Sequence, residues 1–207
     1  MDKHLRTNVE NVYAAGDVIG DRLLVYTAAQ EGGLAAHNML SPPDNQLSRS
    51  DAACPWCVPS CRPLVSDMIV ELHVHGRHLF ACRVVFTDPQ VAGVGLDATE
   101  AKSAGSDLEC VTMPFSTLPR AIVAQDTVGF VRLCRKKDTH EIVGARVIGR
   151  EGGELVMQVA LAIRAKMTSE ELASMLYPYL TLSEAIKLAA LAFDTDVRNL
   201  SCCASHL

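Results

Sequence analysis

The stretch SPPDNQLSRSDAACPWCVPSCRPLVS, residues 41–66, holds five prolines and three cysteines and constrains the fold more than any other part of the chain. Proline removes a backbone donor and fixes φ, so neither helix nor central strand runs through such a segment. The chain therefore reads as separate pieces on either side of it. No apolar run approaches the roughly 18 residues a membrane-spanning helix needs. The N-terminus MDKHLRTNVENVY lacks the apolar core of a signal peptide, so the expected location is cytoplasmic. A net charge of -5 gives no electrostatic reason to expect nucleic acid or a membrane surface as partner. With 49% hydrophobic residues over 207 positions, the composition is that of a globular protein with one or two cores. Eight cysteines in a long chain without a secretion signal point to metal or redox chemistry rather than a disulfide framework.

Upstream of the proline-rich stretch, Asn11-Val-Tyr-Ala-Ala15 reads as a short strand, Gly16-Asp17 as a tight turn, and Leu23 to Met39 as a helix. Downstream, Met68 to Val85 alternates loosely, as a strand pair would. Residues 84–149 read as a compact α+β unit. Val84-Val-Phe-Thr and Val91-Ala-Gly-Val-Gly95 are strand-like, and Asp97 to Ser103 is a short helix. Val111 to Phe115, Val128 to Cys134 and His140 to Ile148 complete the strands, with Lys136-Lys-Asp-Thr as a hairpin turn. Across residues 151–166, Leu155, Val156, Val159, Ala160 and Ile163 share one face of a helix. Thr168-x-x-Glu171 and Thr181-x-x-Glu184 fit capping boxes that open two more, the second running from Leu182 to about Phe193. Cys110 and Cys134 fall in apolar strands and read as buried, inert thiols.

Three segments, in order, resemble one family. Thr7-Asn-Val-Glu-Asn-Val-Tyr-Ala-Ala-Gly-Asp17 resembles the second flavin fingerprint of the pyridine nucleotide–disulfide oxidoreductases. Val85-Phe-Thr-Asp-Pro-Gln-Val-Ala-Gly-Val-Gly95 resembles the opening of their dimerisation domain. Leu200-Ser-Cys-Cys-Ala204 resembles the C-terminus of the mercuric reductases within that family. Most of the family has a His-Pro-Thr segment with a following Glu as acid–base pair. Here Tyr179-Leu-Thr-Leu-Ser-Glu184 stands in its place, with the tyrosine that mercuric reductases are similar in carrying.

The resemblance implies an α+β fold: the C-terminal dimerisation domain of the flavoprotein disulfide reductases, preceded by a strand–turn–helix remnant of the FAD-binding domain. The expected divisions are 1–40 for that remnant, 41–83 for an irregular Cys/Pro-rich insertion, 84–200 for the dimerisation domain and 201–207 for a metal-relay tail. It implies a homodimer, FAD and NADPH as cofactors, and reduction of Hg(II) to Hg(0). Gly16 and Asp17 would meet the flavin nucleotide. Val25 and Tyr26 would line the flavin edge or simply pack within their helix. Tyr179 would lie near the transferred metal or pack as an interface aromatic. Glu184 would act there or only cap its helix. Cys202 and Cys203 would take Hg(II), a soft ion that prefers thiolate, and pass it on.

The chain also departs from the family. It holds no Gly-x-Gly-x-x-Gly and no cysteine pair separated by four residues. Residues 41–83 exceed the family's usual connection, and Ser-His-Leu follows Ala204. The part that binds NADPH is absent from this sequence, so the chain alone is expected to be inactive. Cys54-Pro-Trp-Cys57-x-x-x-Cys61 with His73, His75, His78 and Cys82 supplies half of a zinc pattern, without clean spacing in the second half. The rival reading is a non-catalytic dimerisation or thiol metal-binding module. A third is part of another flavoprotein disulfide reductase, such as a dihydrolipoamide dehydrogenase.

Overall fold

A computed structural model describes residues 1–20, 23–48, 82–97 and 107–196. The chain divides into two compact units, Met1–Gly76 and Arg77–Leu207.

In the first unit, helix α1 (Val25–Leu40) buries Thr27, Glu31, Leu34, Ala35 and Asn38. Their spacing of three and four residues is one helical stripe. Leu5, Leu34 and Ala35 form a small core, with Tyr13, Ile19 and Leu47 packed on it. Asn38 fastens the helix to the segments before and after it. Its Nδ2 donates to His4 O at 3.1 Å and Leu47 O at 2.8 Å, and its Oδ1 accepts from Leu47 N at 2.9 Å. The strand expected over Asn11–Ala15 is reduced to one bridge between Arg6 and Tyr13, and Gly16–Ile19 is a 3-10 helix. Asn11 takes a left-handed conformation with φ 61, which turns the chain instead of extending it.

The second unit is a five-stranded antiparallel sheet with helices on one face. Its strands are β1 (Arg83–Val85), β2 (Gln90–Gly95), β3 (Leu108–Pro114), β4 (Phe130–Lys136) and β5 (Ile142–Gly149), in the order β1-β2-β5-β4-β3. Helix α2 (Pro119–Val123), which the pattern did not announce, lies between β3 and β4. Helices α3 (Gly152–Arg164), α4 (Ser169–Ser174) and α5 (Glu184–Leu191) follow β5. Side chains alternate across a strand. Val131 and Leu133 of β4, Ala145 and Val147 of β5, and Val94 of β2 enter one core with Val156 and Val159 of α3 and Ile186 of α5. All five residues assigned to the buried face of α3 are buried. At the middle of β5, Gly144 is required: a Cβ there would stand 1.8 Å from Leu96 O.

The Thr168–Glu171 capping box is complete, with both reciprocal bonds present. The second box is only half formed. Glu184 accepts from Thr181 N, while the Thr181 hydroxyl donates to Pro178 O at 2.9 Å instead of accepting from Glu184. The helix correspondingly starts at Glu184, not Leu182. Cys110 and Cys134 are not the inert thiols expected. They are paired residues on β3 and β4 and are joined as a disulfide. The expected helix over 97–103 and strand pair over 68–85 fall largely outside the described residues, as do Cys54, Cys57, Cys61, His73, His75, His78, Cys202 and Cys203. Among the described residues, no helix is long and apolar enough to cross a membrane.

Candidate functional site

The Gly16–Asp17 turn is built from the first unit alone. Gly16 has φ +76, and a Cβ on it would stand 3.0 Å from the Ala28 Cβ, so glycine alone fits without strain. Its N–H donates to Glu31 Oε2 at 2.8 Å, in a buried bond. Glu31 was not singled out from sequence, although it lies in phase with the buried face of α1. The next residue, Asp17, is exposed, and its carboxylate accepts no hydrogen bond among the described residues. A glycine turn presenting a carboxylate with no partner among the described residues suits hydroxyl donors such as those of a flavin nucleotide. Val25 is 87% exposed and Tyr26 47% exposed, so neither is buried within its own unit.

The Tyr179 loop, between α4 and α5, is held from two points. Glu184 is buried, and its Oε2 accepts from Leu180 N at 2.8 Å and Thr181 N at 3.1 Å. Leu180 takes φ 62 to bring its N–H round to that carboxylate. Gln158 Nε2 on α3 donates to Ser183 Oγ at 2.9 Å and ties the loop to the helical layer. The loop so pinned leaves Tyr179 65% exposed and Leu176 96% exposed. Tyr177, two residues away, is half-buried, and burial pushes its phenol up to about 12. Glu184 thus fixes the loop backbone that directly follows Tyr179. Burial also holds the Cys82 thiol above its ordinary value.

A third cluster, not anticipated from sequence, centres on Arg135. It is the next residue after Val131 and Leu133 on the helix-facing side of β4, and it is 4% exposed. Its guanidinium reaches Glu109 at 3.0 Å, Glu170 at 3.4 Å, Asp194 at 3.4 Å and the Ser169 hydroxyl at 2.7 Å, and lies 4.2 Å over the Phe193 ring. The available signal was a charge in phase with two core valine and leucine positions.

Residues 81–190, more than half of the chain, match the family model of the pyridine nucleotide-disulphide oxidoreductase dimerisation domain. The chain belongs to that family. Pyridine nucleotide-disulphide oxidoreductases similar to it include the mercuric reductase of Acidithiobacillus ferrooxidans, 38% identical over 204 residues, covering 99% of this chain and 32% of that protein. The mercuric reductase of Shigella flexneri is also 38% identical, with 99% and 31% covered. The chain thus spans about a third of the length of these relatives. Among solved family structures, LpdA of Mycobacterium tuberculosis matches at a TM-score of 0.67 and 25% identity, over 94% of this chain and 36% of that one. RclA of Escherichia coli, an HOCl-induced flavoprotein disulfide reductase, matches at 0.70 and 22% identity over 91% and 37%, which supports the fold alone. The expected α+β dimerisation fold of the flavoprotein disulfide reductases is therefore what this chain has.

Proposed function

We propose that this chain is the C-terminal part of a mercury(II) reductase, which uses FAD and NADPH to reduce Hg(II) to Hg(0) as a homodimer in the cytoplasm. The observation that carries the reading is its 38% identity to mercuric reductases along 204 residues, beyond the dimerisation domain on both sides. The exposed tyrosine held up by Glu184, where relatives with a dithiol substrate use histidine, supports it.

FAD, when bound, supplies the electron pair that NADPH delivers and the metal receives. Gly16 and Asp17 would hold its nucleotide portion, the glycine by forming the turn and Asp17 by accepting hydroxyl hydrogen bonds. Val25 and Tyr26 give it an apolar edge. Hg(II) enters as a thiol complex and exchanges onto Cys202 and Cys203. Two thiols on successive residues do not reach the linear geometry Hg(II) prefers, so they release it readily to another dithiol. Tyr179 stands by that transfer as an oxygen ligand or hydrogen-bond donor, and Glu184 is its positioning residue. The divisions 1–40, 41–83, 84–200 and 201–207 are the working parts of this scheme.

The test is to place this chain in the Acidithiobacillus ferrooxidans relative, in exchange for the third it matches. The hybrid should retain flavin and consume NADPH when given Hg(II)–glutathione, and Cys202→Ser/Cys203→Ser should cut that rate about tenfold or more. A flavin-loaded hybrid whose rate ignores the double substitution would sink the relay assignment. The 207-residue chain alone, given FAD, NADPH and Hg(II), should consume no NADPH above blank.

A further inference from the structure

Cys110 stands directly opposite Cys134 on the paired strands β3 and β4, Cα to Cα 4.2 Å, with their sulfurs bonded. So close a separation marks the narrow, non-hydrogen-bonded type of antiparallel pair, where side chains of the two strands come nearest. The pair faces away from the helices. Leu133, its neighbour along β4, is buried in the core on the helix-facing side, so Cys134 projects from the other side. Arg132 and Thr112 share this face, bonded to one another at 3.1 Å, and Arg132 is exposed. Cys134 is buried, whereas Cys110 is only half-buried. A reductant therefore meets the Cys110 sulfur first.

We propose that Cys110 and Cys134 form a second thiol site, closed as the cross-strand disulfide and open, once a low-molecular-weight thiol has reduced it, to one soft cation such as Hg(II). In the first step the reductant's thiolate attacks Cys110 Sγ. The sulfur–sulfur bond breaks, and its electron pair leaves on Cys134 Sγ, which takes a proton from water. A second reductant thiolate attacks the reductant's own sulfur in the mixed disulfide and releases Cys110. Two small thiols become one disulfide, and the protein gains two electrons and two protons. Metal entry is ligand exchange without redox change. The incoming Hg(II) gives up two small thiolates, which leave as thiols with the protons of Cys110 and Cys134.

The fold suits both states. The β3–β4 ladder pairs every residue from Leu108 to Pro114, and Met113 and Leu133 are buried beside it, so the strands stay together without the sulfur bond. Residues on successive positions of an extended chain point to opposite sides. Cys110 and Cys134 share one side and sit on separate strands, so each turns about its own χ1 toward a common ion. The two sulfurs suit a soft ion content with low coordination. The exchange chemistry rests on the fold; the choice of cation rests on the reading that this chain handles a thiophilic metal.

The experiment uses the full chain carrying Cys54→Ser, Cys57→Ser, Cys61→Ser, Cys202→Ser and Cys203→Ser, which keeps Cys82, Cys110 and Cys134 as its cysteines. Because the tail thiols are gone, the outcome is independent of the relay assignment. As oxidised, the chain should alkylate at Cys82 alone. After millimolar glutathione, alkylation should appear at Cys110 and Cys134, with an unchanged far-ultraviolet circular dichroism spectrum. In Hg(II) titrations against glutathione, the reduced chain should hold about one more Hg(II) than the oxidised chain or one with Cys110→Ser/Cys134→Ser added. The proposal is overturned if the reduced chain holds no additional Hg(II). It is equally overturned if the pair resists millimolar thiol, or opens only as the chain unfolds.

Discussion

Arg135 satisfies its charge without reaching water itself. It is 4% exposed, but its three carboxylate partners, Glu109, Glu170 and Asp194, are each more than two-fifths exposed, so the network drains to solvent through them. Arginine suits this role because its planar fork bonds several acceptors while its face stacks on Phe193. Arg135→Met keeps the stem's volume and removes the bonds, which should lower unfolding free energy by about 1–3 kcal/mol. An unchanged urea midpoint would show the network to be energetically idle. Glu184 makes a sharper case. Glu184→Ala leaves the N–H groups of Leu180 and Thr181 without their acceptor, at a cost of about 1–3 kcal/mol. Glu184→Gln keeps an acceptor oxygen and should lose less. If both variants melt alike, the carboxylate is not what fixes the Tyr179 loop.

Helix α4 is short, so its ends govern it. Thr168→Ala removes the side-chain half of the capping box and should cost about 1 kcal/mol in chemical denaturation. In the same turn, burial works to raise the Glu170 carboxyl. Bonds from its own backbone N–H, His140, Thr168 and Ser169 overcome it and hold the group at about 2, below its ordinary 4.5. A depressed folded value stabilises the protein above the unfolded value, and this contribution is lost as pH falls from near 4.5 through 2. Glu170 is half exposed, so the effect is modest. Glu170→Gln should flatten the fall of the thermal midpoint across that window; an identical slope in both proteins would refute the assignment. The strands and α3 were legible because alternation and helical spacing are local, and each differs from its expected bounds by no more than three residues. Asn11–Ala15 was misread because apolar content suggested a strand where a left-handed Asn11 makes a turn. The Cys110–Cys134 pairing needed the β3–β4 register, and so did the burial of Arg135, since its partner Glu109 lies opposite it on β3. Of the candidate site, the Gly16 turn and the Tyr179 loop were legible as motifs, while their supports, Glu31 and the backbone bonds of Glu184, were not.

At the scale of the whole molecule, the matched domain is a dimerisation domain, and Met175, Leu176 and Tyr179 leave apolar surface exposed on one loop. Light scattering at micromolar concentration should give twice the 22.3 kDa chain mass. Leu176→Asp should shift the population toward monomer, because a charge in an apolar contact loses its solvation there. A clean monomer for the unsubstituted chain would remove the homodimer from the proposed function.

The strand order β1-β2-β5-β4-β3 also sets a timetable for folding. β4 and β5 are joined by a short turn and close quickly, while β2 must wait for β5, with Gly95 meeting Gly144 and Gln90 meeting Gly149 across everything between. Closing that long loop costs entropy before any contact rewards it. The β4–β5 hairpin should therefore be formed in the rate-limiting transition state and the β2 seam should zip afterwards. Leu133→Ala should then mainly slow refolding, whereas Ala92→Gly should mainly speed unfolding. Stopped-flow chevrons showing the opposite split would place nucleation at the β2 seam instead. On this timetable a chain still emerging from the ribosome keeps the β2 edge open until residue 149 is made, and that edge is its period of greatest exposure to wrong strand partners.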